Sequence, residues 1–262
     1  GATVAFSRTG GSSTGTFGAV TDNANGTYTA QFTGVLAGTA TSITATIGGL
    51  TVSTTSPTIP VTPGIISVAT STVNTSLSSI TSGGAATLTL VGKDAAGNSL
   101  ATGGAAVVFS FSGGTSTGSV SATIDGSNGS YTASFSGILA GTATTVHATI
   151  GGVVVTTTMP TETVTPGVIS SSTSLLSVSS ASVLSGGVVV VTLTGKDAAG
   201  NSLSSGGATV AISASGGTST GNLSAVTDNG NGTYTANFTG VLSGTATTLH
   251  ATIGGSSIST TL

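Results

Sequence analysis

Asn128-Gly129-Ser130-Tyr131-Thr132-Ala133-Ser134-Phe135 decides the reading, because the chain contains this stretch three times. It returns as Asn25-Gly26-Thr27-Tyr28-Thr29-Ala30-Gln31-Phe32 and as Asn231-Gly232-Thr233-Tyr234-Thr235-Ala236-Asn237-Phe238, with Tyr28, Tyr131 and Tyr234 spaced by 103 residues. Asn-Gly tolerates the positive φ angles of a tight hairpin. The alternation of apolar and polar residues that follows has the period of a strand with one buried face. A hairpin therefore opens the same strand in three successive units.

The repeat extends well beyond this stretch. Residues 63–159 and 166–262 agree at 58 of 97 positions, the signature of a tandem array. Gly1 to Ser7 matches Gly104 to Ser110, so the first unit enters part-way, and Leu262 aligns with Met159, just before a linker. A unit without its first strands would expose sheet edges and half a core. Either sequence before Gly1 completes it, the preferred reading, or another chain supplies the strands. All five prolines lie in two segments, Ser56 to Gly64 and Met159 to Gly167. Proline favours extended backbone, so both are read as stiff linkers. The expected domains are 1–59, a partial repeat, 60–162 and 163–262.

Within the second unit the pattern predicts strands over Ile65–Ala69, with a continuation near Val73–Ile80, then Ala85–Lys93, Ala105–Ser112, Val120–Ile124, Tyr131–Phe135, Thr142–Ile150 and Val153–Thr158. Leu88, Leu90, Val107, Phe109, Phe111, Val146, Ala148 and Ile150 fall on inward positions. Arg8 takes the place of Phe111 and is expected near a strand end, where a long side chain reaches water. About seven short strands in some 100 residues predict an all-β chain of tandem immunoglobulin-like β-sandwiches joined end to end by Pro/Thr linkers.

Composition narrows the function classes. Charged residues make up 3% of the chain, against about 25% in an ordinary soluble domain. Arg8, Lys93 and Lys196 are the only cations, too few for a nucleic-acid surface. The 42 serines and 54 threonines either solvate the surface by themselves or serve a surface that packs laterally or carries O-linked sugar, with the threonine-rich linkers as plausible sites. Cysteine is absent, which removes disulfides and thiol chemistry. No run is long and apolar enough for a membrane span. No signal peptide is visible, and any targeting segment is expected to lie outside this stretch.

The chemically capable residues read as structural. Asp94 and Asp197 open the turn Asp-Ala-Ala-Gly-Asn, where an aspartate bonds its own backbone. Calcium wants six to eight oxygens and each turn offers one carboxylate. The same holds for Asp22, Asp125 and Asp228 beside the hairpins. Glu162 in the second linker could stiffen a joint through calcium, but Ile59 stands there in the first. His147 and His250 alternate out of phase with the core and are expected to face outward, without a second ligand nearby. No Ser-His-Asp pattern recurs and no glycine pair opens a helix. The expected catalytic, cofactor-binding and metal residues are none, and the chain is not read as an enzyme.

Thr87-Leu88-Thr89-Leu90-Val91-Gly92-Lys93-Asp94-Ala95-Ala96-Gly97-Asn98, Ala106-Val107-Val108-Phe109, Ala140-Gly141-Thr142-Ala143-Thr144 and Ala148-Thr149-Ile150-Gly151-Gly152 resemble the bacterial immunoglobulin-like repeats of invasin and intimin. The Asn-Gly-Thr-Tyr segment also resembles filamin-type immunoglobulin repeats. The first resemblance implies an extracellular or cell-surface location and a spacer role behind an adhesive tip. The sparse charge departs from a usual member and favours an assembling fibre. The expected function is a structural segment, as a stalk or self-assembling fibre. The alternative is an adhesion module binding a receptor or glycan. The expected partners are copies of itself and a host or neighbouring-cell surface.

Overall fold

The computed structural model describes residues 1–260, and among them there is no helix. The second unit is a sandwich of two five-stranded sheets. One runs in the order Thr117–Val120, Ser130–Leu139, Ala85–Val91, Thr72–Thr75, with Ile124–Asp125 also beside Ser130–Leu139. The other runs Ser79–Thr81, Thr161–Thr165, Thr144–Ile150, Val107–Ser112, with Val153–Val154 folded back on Thr144–Ile150.

Side-chain alternation builds the core. Tyr131, Ala133 and Phe135 are buried on the strand that the hairpin opens, and Leu88 and Leu90 pair with Ala133 and Tyr131 on the next. Val146 and Ala148 close the core from the opposite sheet, and the rings of Phe111 and Phe135 meet at 4.4 Å between centroids. Each of the large apolar side chains among them contributes about 1.5–3 kcal/mol by leaving water.

The hairpin itself is looser than an Asn-Gly two-residue turn. Gly126 N–H donates to the Ser130 carbonyl, and positive φ falls on Ser127 and Gly129 instead of Asn128. Ala24 and Gly230 take the place of Ser127 in the other units, also at positive φ. The tyrosine hydroxyl at the start of that strand pins an earlier segment of its own unit: Tyr131 Oη accepts from Ala105 N–H at 3.1 Å and Tyr234 Oη from Ala208 N–H at 3.0 Å.

Several predicted elements differ. Val120–Ile124 is not one strand: Thr117–Val120 and Ile124–Asp125 are strands and residues 121–123 lie outside both, while Val153–Thr158 is a strand only over Val153–Val154. Ile65–Ala69 is not a strand: Ile65 is 90% exposed, Ile66 makes one bridge to Asp94, and a turn follows. Val73–Ile80 divides into Thr72–Thr75 and Ser79–Thr81, which belong to opposite sheets, because the chain crosses between them at residues 76–78. The segment read as the second linker holds a strand, Thr161–Thr165, parallel to Ser79–Thr81 and antiparallel to Thr144–Thr145. This strand spans residue 162, and both of its pairing partners lie before it in the second unit. Glu162 and Val164 point inward and the threonines outward, a strand pattern masked by a carboxylate at a core position.

The third unit repeats the first sheet as Leu175–Val178, Val188–Thr194, Thr233–Leu242 and Thr220–Leu223, but its second sheet has three strands, Val210–Ser215, Thr248–Ile253 and Ser256–Ser257. In the first unit Val4–Thr9 pairs with Thr41–Ile47, and Thr14–Phe17 pairs with Phe32–Leu36. No apolar side chain of residues 1–62 is fully buried, because nothing there corresponds to the covering strands Thr72–Thr75 and Ala85–Val91. Arg8 is exposed near the end of its strand, as expected.

Candidate functional site

The residues that do most beyond their own unit are in the Asp-Ala-Ala-Gly-Asn turns. Asp94 Oδ1 accepts from the Ala96 and Asn98 N–H groups at 3.0 and 2.9 Å. Its Oδ2 accepts from Gly64 N–H and Asn98 Nδ2, both at 2.8 Å. Asp197 repeats all four bonds with Ala199, Asn201 and Gly167. Four donors fill the carboxylate's acceptor sites, so the aspartate is held as part of the turn.

The bond from Gly64, then those from Asn98 and Ala96, outweigh burial and hold Asp94 down to about 2. Burial alone would raise the Asp197 carboxyl, yet the Gly167, Asn201 and Ala199 donors together leave it lowered.

With its own position fixed by the aspartate, the asparagine side chain reaches the preceding unit. Asn98 Nδ2 donates to the Val35 carbonyl at 2.8 Å, and its Oδ1 accepts from Ala37 N–H at 2.9 Å. Asn201 takes the Ile138 carbonyl and the Ala140 N–H at the same distances. The joint is short as well. Thr165 ends a strand of the second unit, and Gly167 N–H is already bound to Asp197 of the third, leaving Pro166 between them. The turn was legible in the sequence; its grip on the neighbour was not. The asparagine four residues after each aspartate was the available signal.

The other sequence candidates stay apart. Asp125 accepts from Gly104 and Ser127 N–H, and Asp228 from Gly207 and Gly230 N–H, each within its own unit. His147 and His250 are half-exposed and bond Ser112 and Ser215 across the strand pair. Among the described residues no three of His, Asp and Glu gather as a metal site.

Glu162 is fully buried, with Oε2 2.8 Å from Thr75 Oγ1. Thr75 has one proton and lies 2.7 Å from the Leu77 carbonyl, to which it donates. Thr75 Oγ1 also donates to Glu162 Oε2, so one hydroxyl proton is shared between the carboxyl and the Leu77 carbonyl. Burial pushes the Glu162 pKa up, and the bond from Thr75 offsets only part of that.

Residues 170–262 match the family described as invasin, domain 3. That match lies in the third unit. Solved structures agree on the fold. The Escherichia coli adhesin FdeC is 24% identical with a TM-score of 0.52, covering 99% of this chain and 86% of its own. InvD of Yersinia pseudotuberculosis is 21% identical with a TM-score of 0.50, covering 100% and 87%. Invasin, a bacterial integrin-binding protein, is 20% identical with a TM-score of 0.50; the match covers 97% of this chain and half, 50%, of invasin. Among curated proteins none matches this chain.

Proposed function

We propose that these repeats are a segment of an extracellular bacterial surface protein, a stalk whose units are locked end to end. The observation that carries this is the asparagine clamp, present at both joints with the same partners and the same 2.8 and 2.9 Å distances. Neighbouring domains move freely by default unless their interface prevents it. At the second joint a strand, a single proline and the clamp take up the freedom a linker would have, and at the first the bonded Val61 and the clamp do so. The relatives named as adhesins and the integrin-binding invasin support a place at the cell surface.

An adhesive face is less supported, because every aromatic side chain among the described residues is buried or half-buried. Chemistry is likewise unsupported, since the carboxylates and histidines are each engaged locally. The test is small-angle scattering of the chain beside the double variant Asn98→Ala, Asn201→Ala. The parent should scatter as a rod of fixed length, and the variant should broaden its distance distribution while each unit stays folded. A parent as flexible as the variant would remove the stalk reading.

A further inference from the structure

The third unit carries a groove of about 510 Å³ lined by, among others, Val183, Ser219, Phe238, Gly240, Gly244 and Leu249. Each has a counterpart 103 residues earlier, and in the second unit those counterparts hold the Thr161–Thr165 strand. Ile80 pairs with Val164. Ser116 Oγ accepts from Val164 N–H at 2.9 Å, and Gly141 N–H donates to the Val164 carbonyl at 3.0 Å. Gly137 leaves room for the valine, since a Cβ there would lie 3.0 Å from both Val164 methyls. Val146 N–H donates to the Pro160 carbonyl at 2.9 Å.

The first unit holds Val61 the same way. Val61 N–H donates to Ser13 Oγ at 2.8 Å, its carbonyl accepts from Gly38 N–H at 3.0 Å, and its side chain sits over Gly34. Two units thus seat a valine through one serine and two glycines.

The third unit has the serine and both glycines, with no valine upon them among the described residues. The surrounding residues show the effect. Ile80 is 5% exposed, whereas Val183 is half-buried and Leu184 is 84% exposed. Ser79–Thr81 is a strand, whereas residues 182–184 are not, since a three-residue strand exists through its pairing. On the rim, Val241 and Ser243 occupy the places of Ile138 and Ala140, whose carbonyl and N–H take Asn201 in the joint before.

We propose that this groove is a docking site for the extended lead-in of a further repeat unit, a segment of the kind Thr161 to Gly167 with valine fourth and Pro-Gly at its end. Its valine enters the slot over Gly240. Its backbone bonds Ser219 Oγ and Gly244 N–H and adds a strand beside Thr247, in the manner of β-augmentation. The following unit's asparagine then closes on the Val241 carbonyl and the Ser243 N–H. The inference rests on the stalk reading only in supposing that the joint is reused.

The experiment extends the full chain after Leu262 with the sequence of residues 160–167, in the register of Met159 to Pro160, and compares it with the same tail carrying Val164→Asp. Hydrogen exchange at Gly244 should slow at least about tenfold with the native tail and not with the aspartate tail. Unfolding of the third unit should also move to higher temperature. Equal exchange with and without the native tail, or equal slowing by both tails, would overturn the proposal. Concentration-dependent protection of Gly244 in the unextended chain would assign the groove to a second copy and overturn it too. Rigid internal joints beside an unprotected Gly244 would sink this inference alone and leave the stalk reading standing.

Discussion

Asp197 Oδ2 accepts from Asn201 Nδ2 at 2.8 Å, and that bond aims the amide at the Ile138 carbonyl of the unit before. One carboxylate thereby organises a turn, the first residue of its own unit and the seam with its neighbour. Replacing Asp197 by alanine leaves four donors without their acceptor at a site 2% exposed. The cost is expected at about 2–4 kcal/mol in the third unit, read by chemical denaturation, with the joint loosened as well.

Acid should act on the same seam. The Asp94 carboxyl keeps its charge in the folded chain better than in the unfolded one, so its contribution is complete above the ordinary aspartate value of 3.8. It is lost as the pH falls through the folded value of about 2. Thermal unfolding between pH 5 and about 2 should show this fall, and Asp94→Asn should flatten it.

Glu162 has the opposite sign. Its pKa is raised above the ordinary glutamate value of 4.5, so the contribution is complete below that value and lost as the pH rises through the folded one. Glu162→Gln is uncharged at every pH. It should stabilise the second unit at neutral pH by on the order of 1 kcal/mol and remove that part of the pH dependence. An unchanged denaturation midpoint at pH 7 would show that the carboxyl carries no such penalty.

Ser127 sits at φ 57° where the third unit has Gly230 at φ 72°. Left-handed backbone strains a residue with a Cβ. Ser127→Gly should therefore stabilise the second unit by about 0.5–1 kcal/mol, and Gly230→Ala should destabilise the third by a similar amount. Paired denaturant titrations of the two variants check both signs.

Local pattern carried the fold a long way. The inward phase of Leu88, Leu90, Val146 and Ala148 was readable because burial on one sheet face imposes a period of two, and each of these residues is fully buried. The 103-residue spacing was readable because each unit must solve the same packing problem. Ile65–Ala69 misled because an apolar run resembles a strand whether or not an edge is free to pair with it. Thr161–Thr165 was missed for a related reason: proline and a carboxylate obscured an alternation whose partners, Ser79–Thr81 and Thr144–Thr145, lie far away in sequence.

By itself the sequence determined an all-β repeat, the buried face of each main strand and the turns at the aspartates, since these depend on neighbours within a few residues. Only the tertiary structure decided that Asn98 and Asn201 leave their own units and that Glu162 is enclosed. Those facts depend on which surfaces meet after the chain has folded back on itself, and contacts across 61 to 87 residues leave no local periodicity to read.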